Sequence, residues 1–217
     1  QLSDASRDVG MHVELNALTV DGVGATPILK TLSALRFETA VRIEPGADLL
    51  FQPTAVASII SQYIRLHAPQ DVVLFGSQSD IGENAKTPLL TAEMLGWPCI
   101  TRATRIAPAD EKYITVTHQV DDGHVRETLR LPCVISVGDT PCTYLRKPTL
   151  RDRLSYGKKT IAVLAAEDFK LPKETETLMD LEILRHERDA AVIEGEGPAA
   201  KAKVLYEDYL KPVLWRP

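Results

Sequence analysis

Apolar positions come in blocks, some alternating and some at helical spacing, and the two kinds follow each other along the first half of the chain. Residues 12–20, HVELNALTV, alternate and have β-favouring ends, which predicts a strand. Ile28, Leu29, Leu32 and Leu35 recur at helical spacing within residues 26–35. Residues 40–43 predict a short strand. Pro53 suits a first helical turn, and Val56, Ile59, Ile60, Tyr63 and Ile64 then share one helical face. Residues 72–75 are all apolar and end at Gly76, the pattern of a buried parallel strand with a functional loop behind it. A helix over residues 88–95 and a strand from Cys99 follow. This alternation predicts an α/β fold: a mostly parallel sheet with helices on both faces.

The middle of the chain changes pattern. Residues 113–120, YITVTHQV, alternate strictly; Asp121-Asp122-Gly123 is a turn signal; residues 125–131 form a second strand. An antiparallel hairpin is therefore added to the parallel sheet. Residues 132–137 predict a short buried strand. A proline-punctuated loop leads into a basic helix at 149–159 and a strand at 160–164. The tail is highly charged from about Glu167. It ends in an amphipathic helix over 198–210 with Ala202, Leu205, Tyr206 and Tyr209 along one side. The expected organisation is an α/β domain over residues 1–166 and a C-terminal arm over 167–217. The arm either packs on a partner or folds back on its own domain.

Composition narrows the classes. Of 217 residues, 44% are hydrophobic and 25% charged, so the chain can bury a core. The net charge of −5 argues against nucleic acid as a partner. No apolar run reaches the roughly 18–20 residues that span a bilayer, so membrane insertion is not expected. The first ten residues are polar and carry no signal-peptide stretch. The three cysteines, Cys99, Cys133 and Cys142, form no CxxC pair and fit a reducing cytoplasm.

Candidate chemistry concentrates in one loop, GSQSDIGENAKTP, residues 76–88. It lies between a strand and a helix, where open α/β sheets bind ligands. Thr87 can cap the helix and Pro88 can be its first residue. Free N–H groups at that start, with Lys86 beside them, suit a phosphate. The same residues also make an ordinary polar loop before a well-capped helix. GxxxxGK[ST], GxGxxG and GxSxG are all absent. Thr19-Val20-Asp21-Gly22 is a weaker candidate at a neighbouring strand end. The histidines have no metal-ligand spacing, and the carboxylates of Asp121, Asp122 and Glu127 fit exposed hairpin positions. No catalytic residue and no metal site are expected, which points to binding or electron carriage.

These residues carry a resemblance. The run VVLFGSQSDIGENAKTPLLTAEMLGWPCIT, residues 72–101, resembles the electron transfer flavoprotein β subunit family: buried strand, G-x-Q loop at Gly76 and Gln78, helix, then Leu95-Gly96-Trp97-Pro98. Asp121-Asp122-Gly123, Glu127-Thr128-Leu129 and Pro132-Cys133-Val134-Ile135 are similar to the family's hairpin and strand. Lys147-Pro148-Thr149-Leu150-Arg151 through Gly157-Lys158-Lys159 is similar to its proline-led loop and helix. Ile193-Glu194-Gly195 with Lys201, Ala202 and Leu205 is similar to its C-terminal arm. The resemblance implies a Rossmann-like adenine-nucleotide-binding domain and an α-type flavoprotein partner in a heterodimer, around which the arm wraps. It implies AMP or a second FAD in this chain and FAD in the partner, with electrons passing from a flavin dehydrogenase to an acceptor. Thr19, Val20 and Asp21 would line the nucleotide, with Gly76, Gln78, Asp80, Gly82, Glu83, Asn84, Ala85, Lys86, Thr87 and Pro88 facing them. Lys147, Pro148, Leu150 and Arg151 would dock the redox partner.

The departures are specific. The family's first strand and the helix after it have no counterpart, and a sheet lacking that central strand has a gap. The loop's usual acidic position holds Ile81, with Asp80 one place earlier. Lys86 and Pro88 replace a usual Gln and Gly. Lys147 replaces the apolar recognition residue. The alternative reading is a nucleotide-binding regulatory module of the same fold without redox activity. An adenylate-processing enzyme is disfavoured because no serine–glycine-rich pyrophosphate loop is present.

Overall fold

The structure is a computed structural model. It describes residues 10–46, 49–77, 85–138, 146–172, 179–180, 182 and 192–214. The chain divides into two compact units, Gln1–Leu178 and Met179–Pro217.

The first unit is α/β, as the alternation predicts. In chain order its elements are β1 (Asn16–Val20), α1 (Thr26–Ala34), β2 (Thr39–Glu44), α2 (Pro53–Leu66) and β3 (Val72–Gly76). Then come α3 (Lys86–Leu95), β4 (Cys99–Pro108), β5 (Tyr113–Val120), β6 (Gly123–Arg130), β7 (Cys133–Val137), α4 (Leu150–Tyr156) and β8 (Ala162–Ala165). The strands form two sheets. One is parallel throughout, in the order β1-β2-β8. The other has the order β3-β7-β4-β5-β6; β3, β7 and β4 pair in parallel, and β5 and β6 add the expected antiparallel hairpin.

Each face of the first sheet has its own apolar cluster. Ala17 and Ala40 pack with Leu29 of α1 on one side. Val41 and Ile43 pack with Ile59 of α2 on the other, beside Leu18, Val20 and Leu164. The split follows strand alternation: odd and even positions go to opposite faces. In the second sheet, Val134 packs with Ile64 of α2 and Ala92 and Leu95 of α3. Ile100, Ile114, Val116, Leu129, Cys133 and Ile135 fill a cluster on sheet residues alone.

α2 therefore serves both sheets. Ile59 enters one cluster and Ile64 the other, and Tyr63 packs against both. Polar contacts hold the helix in place. The Arg65 guanidinium donates to the Met94 carbonyl at the end of α3. Gln62 donates from Nε2 to the Lys170 carbonyl (2.8 Å) and accepts the Lys170 N–H at Oε1 (2.9 Å).

Two expectations are corrected. Residues 72–75 do form a parallel strand, but β3 pairs only with β7 and stands at a sheet edge. Val73 and Phe75 pack on the α3 side, while Leu74 on the opposite face is 47% exposed. Continuous apolarity signals two covered faces, and the face that carries Leu74 is only partly covered. The helix expected over 88–95 begins at Lys86, and neither Thr87 nor Pro88 starts it. Its other end fits the sequence. Gly96 takes φ 72°, and the Trp97 N–H reaches the Ala92 carbonyl (3.0 Å), a glycine stop for a helix.

In the second unit, Pro198–Val204 is α-helical, Leu205–Leu210 is π-helical and Lys211–Leu214 is α-helical. The helix thus runs past the expected end at residue 210.

Ile59 is fully buried at the seam. Ile59→Ala should lower unfolding stability by about 2–5 kcal/mol. Gly96→Ala, forced into a left-handed conformation, should cost about 1 kcal/mol. Urea titrations measure both. Equal small losses at the two positions would contradict the role given to α2.

Candidate functional site

The first candidate, Thr19-Val20-Asp21, ends β1. Thr19 lies beside Arg42 of β2 in register, and the Asp21 N–H continues the pairing to the Ile43 carbonyl (3.0 Å). Val20 packs into the α2-side cluster, so Thr19 and Asp21 lie on the opposite, α1 face. The chain then turns tightly. The Gly22 N–H donates to Asp21 Oδ1 (2.6 Å), and a 3₁₀ turn over Val23–Ala25 feeds α1, with Pro27 in the first helical turn. A Cβ built on Gly22 or Gly24 meets nothing within 4 Å.

The second candidate begins at Gly76, the last residue of β3. The Ser136 hydroxyl of β7 donates to the Gly76 carbonyl (3.3 Å) and fixes the strand end. Gln78, Asp80, Gly82, Glu83 and Asn84 lie outside the described residues. Ala85 is the N-cap of α3 and sits at φ 51° without a side-chain cap. Thr87, expected to cap, lies inside the helix, where its carbonyl accepts from the Thr91 hydroxyl (2.8 Å). Pro88 is buried in the first turn rather than opening it. A left-handed residue ahead of the helix replaces the Thr87 side-chain cap; alanine is not a usual choice there, so the sequence carries no signal for it.

The amino ends of the two strands are tied. Asn16 Nδ2, at the start of β1, donates to Gln70 Oε1, two residues before β3 (3.3 Å). α2 packs against Val20 at the carboxyl end of β1, and Phe75 near the carboxyl end of β3 joins its other cluster.

The docking candidates sit on and ahead of α4. Thr149 caps this helix in a capping box with Asp152. Asp152 Oδ2 accepts from the Thr149 N–H (2.9 Å), the Thr149 hydroxyl (2.8 Å) and Arg146 Nη1 (3.0 Å). The Thr149 backbone and hydroxyl, then Arg146, hold the Asp152 carboxyl down to about 2. The box leaves Leu150 73% and Leu154 60% exposed, one helical turn apart. Lys147 and Arg151 are exposed beside them. The basic run divides by role. Arg146 is held by Asp152, and Lys159 Nζ is spent on the Phe37 and Glu38 carbonyls (3.1 and 3.3 Å).

The other nucleophiles and ligands are quiet. Burial, and then the neighbouring Cys99, pushes the Cys133 thiol up to about 11, and burial also raises Cys99. Cys142 lies outside the described residues. Among the described residues no group of three or more His, Cys, Asp or Glu side chains could hold a metal. None of their helices is long and apolar enough to cross a membrane.

The comparisons decide the family. The family model described as "Electron transfer flavoprotein domain" matches residues 5–169. This chain belongs to the electron transfer flavoprotein β subunit family. It is 37% identical over 211 residues to YgcR of Escherichia coli (strain K12), whose name provisionally assigns it as an electron transfer flavoprotein subunit. That match covers 95% of this chain and 78% of YgcR. It is 30% identical over 166 residues to the mitochondrial electron transfer flavoprotein subunit beta of Oryza sativa subsp. indica, covering 75% of this chain and 64% of that relative, a little under two thirds. The Arabidopsis thaliana mitochondrial β subunit is 24% identical over 179 residues, 82% of this chain and 68% of its own. The family match spans both strand ends, α3, the hairpin and α4.

Sequence reasoning missed one feature of this region. Arg42 is buried in β2 next to Thr19. A charged residue between apolar Val41 and Ile43 in the strand TAVRIE was the available signal.

The Asp152 carboxyl is lower in the folded chain than its unfolded value of about 3.9. Its contribution to stability is therefore full above that value and is lost as pH falls toward about 2. Asp152→Asn should destabilise the domain at pH 6, and the difference from wild type should shrink steadily below about pH 4. Urea unfolding at several pH values reads this; a difference independent of pH would remove the charged role of Asp152. Thiol labelling offers a second check: Cys133 should stay unmodified at neutral pH until the domain unfolds.

Proposed function

We propose that this chain is the β-like subunit of an electron-transferring heterodimer. It pairs with an α-type flavoprotein subunit, binds AMP or a second FAD, and helps pass electrons from a flavin dehydrogenase to an acceptor. The observation that carries the reading is the match of the electron transfer flavoprotein domain over residues 5–169, which takes in both strand ends.

The described residues fit a nucleotide. Thr19 and Asp21 would contact it from β1. Gly76 would contact it from β3, and Gln78, Asp80, Gly82, Glu83 and Asn84, outside the described residues, are assigned to the same site by the resemblance alone. Ala85, Lys86 and Thr87 would present the amino end of α3 to a phosphate, and Pro88 would hold that end in the core. Pro88 itself offers no N–H. FAD, when bound, would supply a redox centre; AMP would supply structure alone. This chain's residues bind and orient, and none is assigned a chemical step.

The C-terminal helix is read as an arm on the partner subunit. Within its own unit Leu205, Tyr206, Tyr209, Leu210, Val213 and Leu214 are all exposed. So dense an apolar surface on one helix is the mark of an interaction site. Lys147, Pro148, Leu150 and Arg151 are read as the docking surface for the dehydrogenase. Apolar Leu150 and Leu154 would supply contact area there, and the exposed cations would supply steering. A cytoplasmic location is part of the same reading.

Co-expression with the neighbouring α-type subunit, followed by denaturation and mass spectrometry of the released nucleotides, tests the proposal. One FAD and one AMP per heterodimer, or two FAD, supports it and separates its two forms. A chain that forms no heterodimer and binds nucleotide alone, without flavin, would favour the regulatory module instead.

A further inference from the structure

The strands β4, β5 and β6 sort their side chains by charge. Ile106, Ile114, Val116 and Leu129 enter one apolar cluster. Strand alternation then puts Tyr113, Thr115, Thr117, Arg126 and Arg130 on the other face. A β-bulge adds Arg105 to them. Ala103 pairs with His118 and Arg105 with Thr117, so Thr104 is an extra residue. Ala103 and Ile106, three apart, thereby both reach the apolar cluster, and Arg105 falls on the outer face. In register, Thr117 has Arg105 on one side and Arg126 on the other, and Arg130 lies opposite Tyr113. The first two arginines start from strands about 10 Å apart, and Arg126 and Arg130 are about 13 Å apart along β6. All three are exposed. Among the described residues none of them has an ion pair or a side-chain hydrogen bond.

Within these strands no carboxylate shares their face. The one acid in β4, β5 and β6 is Glu127, which pairs with Val116 on the clustered face, 3.5 Å from His118. The remaining acids sit in the turns. Asp110 Oδ1 accepts the Lys112 and Tyr113 N–H groups (2.7 and 2.9 Å), and Asp121 Oδ1 is 3.9 Å from Arg102 Nη1. Glu111 and Asp122 are exposed at the two ends. A merely solvated surface intersperses both signs. Here a chain of net charge −5 keeps three cations and no anion on one patch. Each cation is an arginine, and Tyr113 beside them is 40% exposed. Interfaces enrich arginine and tyrosine and deplete lysine. A guanidinium is more weakly hydrated than an ammonium, so covering it costs less. Charges on an edge strand also guard against mispairing, which accounts for Arg126 and Arg130 on β6 but not for Arg105 on the inner strand β4.

We infer that this face docks a carboxylate-bearing protein surface, with Arg105, Arg126 and Arg130 each pairing with an Asp or Glu of the partner through the guanidinium fork. In the heterodimer that surface belongs to the α-type subunit. Naming that partner rests on the proposed function; the face itself does not. The net charge of the chain disfavours nucleic acid as the occupant.

The test measures association of the full chain with the α-type subunit by biolayer interferometry at low and high salt. One variant combines Arg105→Gln, Arg126→Gln and Arg130→Gln. A control removes the same charge elsewhere, with Lys30→Gln, Arg153→Gln and Lys158→Gln, all exposed. At low salt the first variant should associate about tenfold more slowly than wild type, the gap should close at high salt, and the control should match wild type. Arg→Lys at the same three positions keeps the charge and loses the fork, so it should associate at the wild-type rate and dissociate faster. Equal slowing of the glutamine variant and the control means that net charge alone steers, which overturns the inference; so does a glutamine variant that behaves as wild type. If wild type forms no complex with the α-type subunit, the proposed function falls, and poly-L-glutamate and duplex DNA become the probes. Poly-L-glutamate bound by wild type and lost by the glutamine variant keeps the face as a dock for acidic protein. Poly-L-glutamate bound equally by both or by neither, or DNA bound in preference to it, overturns that too.

Discussion

The packing of α2 between two sheets is the contact on which the rest of this domain depends. One helix buries Ile59 against β2 and Ile64 against the β7 side, with Tyr63 shared. Burying side chains of this size is worth about 1.5–3 kcal/mol each. The same helix positions Lys170 through Gln62 and the end of α3 through Arg65. Among the described residues, the Asn16–Gln70 hydrogen bond also ties the start of β1 to the segment before β3, an exposed polar contact. That bond is weak, since exposed hydrogen bonds exchange with water at little net gain. The two candidate ligand-binding segments follow those two strands, so their mutual placement derives from one apolar helix face.

Much of this could be read in the residues. Of the predicted helical face, Ile59, Ile60, Tyr63 and Ile64 pack into the two clusters, and the hairpin at Asp121-Asp122-Gly123 pairs Val120 with Gly123 as its turn signal requires. The glycine stop at Gly96 was legible because few other residues take φ near 72° at low cost. Edge status was not legible. Val72-Val73-Leu74-Phe75 is equally apolar whether one or two strands flank it, and pairing partners come from distant residues such as Val134 and Ile135. The start of α3 was misread because Thr87-Pro88 is a good capping pair by local rules. The backbone enters through left-handed Ala85 instead. Arg42 went unremarked because burial without partners is a property of packing, which a strand pattern does not contain.

The electrostatics of the two surfaces differ in kind. In β2, the buried Arg42 guanidinium meets one exposed carboxylate, Glu44, at 3.5 Å, an arrangement whose Coulomb gain does not match full desolvation of the charge. At α4, Asp152 collects three donors on one oxygen and holds a short helix in place. The first is a poised, incompletely satisfied group; the second is a closed network. The closed network fixes the start of the helix that carries exposed Leu150 and Leu154.

Amide hydrogen exchange with and without AMP, on the chain in complex with its partner subunit, tests most directly whether the ends of β1 and β3 form a single site. The account predicts slowed exchange in residues 19–25 and residues 76–88 together, with little change in the hairpin of β5 and β6. Protection confined to one of the two segments, or found only elsewhere, would contradict it.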